Sequence, residues 1–356
     1  MAKKPAKQDG PSGLDTLKAD LKAGQYGRLY LFHGEEHYLR DHYLQMLQSR
    51  LLDGPASDFN FHRFTQETMD LQELSNAVDA LPMLAEYSLI QVEDWDLSKL
   101  SESNRETLVE ILSDIPDYCT VVFVFDTVEL KIDGRQKKLK EALDRGLTVE
   151  FGRQSPRELN TWIRRHFRSH GKEIGDKQCE YLTFVTGGTM TALSAEINKI
   201  AAYASGNVIT EQDINAVVIP VLDAEVFDLT DAIADGDYEK ALVKLRTLMQ
   251  MQQEAIPLLA AIGGQMRRLL YAKVAMGAGR GEAGVAELIK ASAGRAPHPY
   301  MLQKTITTAR RVTEGFCAEA VRLCMEADAA LKGFSGDDQR TLELLLLRMS
   351  QEVRRG

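Results

Sequence analysis

The sequence has no apolar run approaching the ~20 residues that cross a bilayer, which argues against an integral membrane protein. It has four cysteines, Cys119, Cys179, Cys317 and Cys324, and no C-x-x-C pair. A disulfide framework or a zinc site is therefore not expected, and a reducing cytoplasm is the expected compartment. Met1 to Gly13 is rich in Lys, Pro and Gly with no apolar stretch behind it, so it reads as a loose tail and not a secretory signal. There is no G-x-S-x-G and no well-placed pair of carboxylates, so nothing supports hydrolysis. No repeat of fixed period and no low-complexity block is present.

The chain has 356 residues, of which 44% are apolar and 27% charged. That is ordinary globular composition, with room for roughly two or three domains and their cores. The net charge of −9 is unevenly spread: −10 over residues 1–152, +1 over 153–222 and zero over 223–356. An acidic first part is a poor phosphate-gripping surface by itself, so any nucleic acid would be met alongside basic partners.

Residues 27–152 alternate β-rich runs with helical patterns. Strands are expected at Arg28–His33, Phe59–Phe64, Ser88–Val92, Thr120–Phe125 and Leu147–Phe151. Between them lie helical stretches, one carrying Leu39, Tyr43, Met46, Leu47 and Leu51, the next Leu71, Leu74, Val78 and Leu81. Five strands alternating with four helices predict a mainly parallel α/β sheet covered on both faces. After Gly152 the strands almost vanish. Ser155-Pro156-Arg157-Glu158 is a helix start, with Ser as N-cap and Glu three residues on. Residues 153–222 read as a small helical domain and 223–356 as a larger one. In the latter, Phe316, Ala320, Leu323, Ala327 and Leu331 form one stripe. The Leu344–Leu347 run is apolar nearly all round and is expected to be buried by its neighbours.

The chemistry-bearing positions are few. A strand ending in Gly34 and opening a helix is where a phosphate loop would sit. The required G-x-x-x-x-G-K-[ST] is missing; the sequence runs Gly34-Glu35-Glu36-His37-Tyr38-Leu39-Arg40. Glu35 and Glu36 stand where phosphates would bind, and their charge opposes a nucleotide. Gly171-Lys172 lacks the earlier glycine. Val92-Glu93-Asp94 and Asp126 faintly echo magnesium-binding strand ends and read as solvated termini. His166 and His170, four apart on a helix, suit a metal, but Arg164, Arg165 and Arg168 crowd them and favour a basic solvated face. The basic stretch Arg153–Lys172 reads as a solvated face or a subunit contact before it reads as a DNA surface. At the end of the second helical stretch, Pro82 stops the helix, and Leu81, Met83 and Leu84 cluster on a short tip. Such a tip fits ordinary core packing or a hydrophobic cleft on another protein.

Several segments together resemble the delta subunit of the bacterial DNA polymerase III clamp loader. They are the Leu29–Leu39 strand-Gly-Glu-Glu-x-Tyr-Leu pattern, Gly187–Ile200, Val226–Ile233, and Ala329–Lys332 with Leu342–Leu347. Each is loose alone; their order from about residue 27 to the end carries the resemblance. It implies a tail and first helix over 1–26 and an AAA+-like α/β domain without a functional P-loop over 27–152. A helical lid over 153–222 and a helical collar over 223–356 would follow. It implies a non-catalytic subunit of a DNA-directed DNA polymerase holoenzyme, needing no cofactor of its own. Expected partners are the beta sliding clamp, the gamma/tau ATPase subunits, the delta-prime subunit and primer-template DNA. The family's clamp-binding element maps onto Leu81, Met83 and Leu84, with an aliphatic residue at 84 where some members carry an aromatic. Phe334, before the last helix, is a possible DNA contact or a plain loop anchor. The alternatives are an active AAA+ ATPase, which needs the missing phosphate loop, and a helical scaffold sharing this domain order.

Overall fold

The structure, a computed structural model, describes residues 12–54, 56–133, 136–251, 253–294, 296–333 and 337–353. The tail reading at residues 1–11 and the Phe334 contact lie outside the described residues. The chain divides into two compact units, before and after the Gln154–Ser155 bond.

The first unit alternates strand and helix as the periodicity predicts. Helix α1 (Gly13–Ala23) starts where Ser12 Oγ accepts from the Asp15 amide and stops at Gly24, whose φ of 68° only glycine adopts cheaply. Then come β1 (Leu29–His33), α2 (His37–Leu51), β2 (Phe61–Thr65), α3 (Leu71–Asp79), β3 (Ser88–Glu93), α4 (Glu102–Ser113), β4 (Cys119–Val124), α5 (Lys137–Leu143) and β5 (Leu147–Glu150). The strands form one parallel sheet in the order β2-β3-β4-β1-β5. Every residue of β4 is buried, as a central strand covered on both faces requires. Alternation in β1 feeds two cores. Tyr30 and Phe32 pack with Leu17, Leu21, Leu44, Leu47 and Phe151, the layer of α1 and α2. Leu29 and Leu31 pack with Leu74, Leu108, Leu112 and Leu139, the layer of α3, α4 and α5. Two details differ from expectation. Phe59 and Asn60 belong to a 3-10 turn (Ser57–Asn60), so the strand begins at Phe61. Helix α3 ends at Asp79 with Ala80 and Leu81 outside it, because the residue before Pro82 is pushed out of helical backbone.

The second unit opens with α6 (Pro156–Ser169), closed at its start by a capping box between Ser155 and Glu158. It continues through β6 (Glu173–Ile174), α7 (Asp176–Thr186), α8 (Met190–Tyr203), β7 (Val208–Ile209) and α9 (Glu211–Val217). The β6–β7 pair is parallel and adds to the helical pattern read from sequence, since two residues per strand are too short to carry a periodic signal. Among the described residues seven helices complete the unit: α10 (Leu222–Ala234), α11 (Tyr238–Gln250), α12 (Ala255–Gly277), α13 (Gly281–Ala293), α14 (Pro299–Ala309), α15 (Glu314–Lys332) and α16 (Asp338–Val353). Their shared core runs through Phe227's neighbours Val226 and Leu229, the α12 residues Leu258, Ile262, Met266 and Leu269, and the whole 316–331 stripe. On α16 the expectation of all-round burial fails. Leu342, Leu345, Leu346 and Met349 are buried, while Leu344 and Leu347 stand 49% and 52% exposed. Helix α16 packs mainly against α15 and α11, with lesser contact to α10 and α12.

Candidate functional site

Parallel topology puts two possible sites at opposite edges of the first unit's sheet. Gly34, Asp94 and Asp126 follow the carboxyl ends of β1, β3 and β4. The 81–84 segment precedes β3 and therefore lies at the amino edge.

At the carboxyl edge the chain turns at Gly34, where φ is 127° and an added Cβ would sit 2.4 Å from the Phe151 carbonyl oxygen. Only glycine fits there. The Glu36 amide donates to that same carbonyl at 2.9 Å, closing the loop onto the end of β5. The Glu35 carboxylate accepts from Arg153 Nε at 2.7 Å, and Glu36 is buried. Arg40 occupies the register of the P-loop lysine. Its guanidinium is buried and paired with Asp126 at 3.0 Å and Asp41 at 2.9 Å; His37 Nε2 also reaches Asp126, at 3.2 Å. Burial disfavours the charged Arg40, but those two carboxylates outweigh it and hold its pKa above the ordinary value. A carboxylate of the chain itself thus sits where a phosphate would be sought.

The acidic strand end beside it is half-buried at Glu93 and Asp94 and exposed at Asp126, and its carboxylates are engaged by partners within the chain. Arg63 grips Glu93 bidentately, at 2.8 and 2.6 Å. Asp94, at a φ of 48°, accepts from the amides of Asp126, Thr127 and Val128 at 2.7, 2.9 and 3.2 Å, and from the Thr127 hydroxyl at 2.9 Å. Burial raises its pKa, but these donors outweigh it and bring the carboxyl below its usual range. Asp94 is a turn organiser linking β3 to the loop after β4.

At the amino edge Leu81, Met83 and Leu84 are 78%, 53% and 82% exposed. Three large apolar side chains on one short turn is a conspicuous departure from the buried pattern around it. The turn is held from below. Asn60, itself 2% exposed, accepts from the Met83 amide through Oδ1 at 2.6 Å and donates through Nδ2 to the Met83 carbonyl at 2.9 Å. The same Nδ2 also donates to the Ala56 carbonyl at 3.2 Å. Leu84 takes a left-handed φ of 51°, rare for leucine, and so aims its side chain outward. Tyr118 donates its hydroxyl to the Asp79 carbonyl at 3.0 Å, satisfying the end of α3. Asn60 was missed from sequence: its one signal is an amide between two phenylalanines in a strand-like run, and its partner lies 23 residues away.

Elsewhere, the His166 and His170 rings stack at 5.7 Å, and their Nε2 atoms lie 3.3 and 3.0 Å from Asn198 Oδ1. Among the described residues no group of three His, Cys, Asp or Glu side chains is placed to hold a metal. In the basic stretch, Arg164 pairs with Asp176 at 2.7 Å, and Lys172 donates to the Ala204 and Gly206 carbonyls. Arg157, Arg165 and Arg168 remain exposed.

A parallel five-stranded sheet in this order, turned at a glycine loop after its first strand and followed by helices, defines an AAA+-like protein with a long helical extension. The family model for the DNA polymerase III delta subunit matches residues 30–151, and that for its C-terminal domain matches residues 223–349. The chain belongs to the DNA polymerase III delta-subunit family. The DNA polymerase III subunit delta of Bacillus subtilis (strain 168) is 24% identical over 339 residues, covering 92% of this chain and 94% of that one. The probable DNA polymerase III subunit delta of Aquifex aeolicus (strain VF5) is 25% identical over 230 residues, 62% of this chain and 64% of that one. The solved Bacillus subtilis DNA clamp loader delta protein (YqeN) shares the fold, with a TM-score of 0.56 and 23% identity over 94% of this chain and 99% of that one.

Proposed function

We propose that this protein is the clamp-opening subunit of a replicative clamp loader. In this reading Leu81, Met83 and Leu84 enter an apolar cleft of the beta sliding clamp, and their binding energy favours a clamp with one interface open. The observation that carries the reading is the exposure of these three side chains on a turn whose backbone is fixed by buried Asn60. Fixing the turn before binding lowers the ordering cost of docking it. The chain contributes no catalysis of its own. The Arg40–Asp126 pair and the Gly34–Phe151 closure oppose nucleotide binding at the carboxyl edge, so ATP acts on the neighbouring gamma/tau subunits. We assign residues 153–222 to a lid and 223–356 to a collar. The collar joins a ring with the ATPase and delta-prime subunits, and Leu344, Leu347 and Met325 are among the exposed apolar side chains it offers to neighbours. Primer-template DNA is met within that ring, in the cytoplasm.

The test is clamp capture by the purified full-length protein. Wild type retains the clamp. Leu81→Ser/Met83→Ser/Leu84→Ser loses it while keeping the wild-type circular dichroism spectrum, since none of the three is in the core. Undiminished capture by the triple variant would falsify the site. Binding of labelled ATP by the isolated wild-type chain would instead favour the ATPase reading.

A further inference from the structure

We infer that Phe59 is a fourth binding side chain of the same knob, contributed by a different chain segment, and that the cleft receiving the knob has a basic rim. This rests on the clamp-binding reading above. Phe59 is 69% exposed, an unusual state for an aromatic side chain in a unit whose other phenylalanines feed the sheet cores. Its place is set by the 3-10 turn, in which the Phe59 amide donates to the Ala56 carbonyl at 3.1 Å. The next residue is Asn60, whose carboxamide holds both backbone groups of Met83. The Cα of Phe59 is therefore about 3.8 Å from that of the residue gripping the tip. Gly54 also approaches the tip: a Cβ there would lie 3.9 Å from the Leu84 carbonyl oxygen. Strands β2 and β3 are adjacent and parallel, with Phe61 opposite Leu89, so the segments that precede them emerge side by side at one edge. Asn60 thus ties two exposed apolar segments into one surface. An aromatic ring there adds large contact area at low rotamer cost, which is the profile of an interface anchor.

Within the two segments themselves the charge has one sign, with Arg50 just ahead of the first. Asp53, Asp58, Asp79 and Glu86 are all exposed, and residues 51–60 and 79–86 contain no Lys or Arg. An apolar knob fringed by carboxylates fits a cleft with an apolar floor and cationic edges, and such a rim acts on association and its salt dependence.

The experiment measures binding of full-length protein to immobilised sliding clamp. The variants are Phe59→Ala, Phe59→Tyr, Asp58→Asn/Asp79→Asn and the Leu81/Met83/Leu84 serine triple. Phe59→Ala is expected to weaken binding by ~10-fold or more, mainly through faster dissociation, and Phe59→Tyr to restore it. Raising salt from about 50 to about 300 mM should weaken the wild type more than Asp58→Asn/Asp79→Asn. Wild-type affinity in Phe59→Ala, with binding lost in the serine triple, overturns the role of Phe59 and leaves the tip intact. Equal salt responses overturn the basic rim. Wild-type binding by the serine triple sinks the underlying clamp reading instead.

Discussion

Two residues show how much chemistry hides in side chains that look ordinary in sequence. Asn60 reads as a polar interruption of a strand; its function exists only once β2 and β3 are paired and the two preceding loops meet. Removing its carboxamide strands the Met83 amide and carbonyl and leaves a cavity. Asn60→Ala is expected to cost roughly 2–3 kcal/mol of stability in urea denaturation, and to weaken clamp binding beyond what that loss explains. Asp94 is the second. The Val92-Glu93-Asp94 sequence was legible as an acidic strand end, but its donors come from the turn after another strand, so its task was not. Its folded pKa is depressed, so its contribution is present above the unfolded carboxylate pKa of about 3.9 and is lost as pH falls through the folded value. Asp94→Asn keeps the side chain's size and tolerates the left-handed backbone. Wild type is expected to exceed it in stability by roughly 1–2 kcal/mol at pH 7, with the gap closing below about pH 4. A gap of constant size down to pH 2.5 in parallel thermal melts would rule out the charged-acceptor account.

Among elements, amphipathic stripes were readable and the boundaries set by tertiary approach were not. The 316–331 stripe is buried as spaced, because period alone decides which face of a helix meets its neighbours. Period says nothing about Leu344 and Leu347, since a helix apolar all round does not reveal how many neighbours it has. Glycines divide in the same way. Gly34 must be glycine on two counts, its φ and the Phe151 carbonyl, whereas Gly263 on α12 has ordinary helical backbone, and an added Cβ would meet Cys324 Cβ at 3.5 Å, Arg267 Nη1 at 3.6 Å and Cys324 Sγ at 3.9 Å, all ordinary contact distances. Gly263→Ala should therefore be tolerated and raise stability by about 0.5–1 kcal/mol through helix propensity. Gly34→Ala should lower it by at least ~2 kcal/mol, through backbone strain and a displaced β5 end. Paired calorimetric melts of the two variants give opposite shifts if the α12–α15 approach and the Gly34 turn are as described.

At the scale of the whole chain, alternation of strand and helix made a parallel sheet legible, and a parallel sheet fixes which loops share an edge. Gly34, Asp94 and Asp126 had to meet at the carboxyl edge and the tip had to lie at the other. The identity of the tip's second segment did not follow, because strand order is not written in local periodicity. The two units carry separate cores: Leu31, Phe123 and their neighbours before Gln154, and the α10–α16 cluster after Ser155. Each unit, having its own core, is expected to fold without the other. The fragment 1–154 contains the knob, Asn60 and Phe59; the fragment 155–356 contains none of them. Expressed separately, both should melt cooperatively. Fragment 1–154 should bind the sliding clamp within ~3-fold of the full chain, since every side chain assigned to the knob is present and held by bonds internal to that fragment. Fragment 155–356 should not bind the clamp, and should instead compete with the full chain for the other clamp-loader subunits. A folded fragment 1–154 that fails to bind would mean that the clamp surface extends past residue 154, and that the knob is only one part of it.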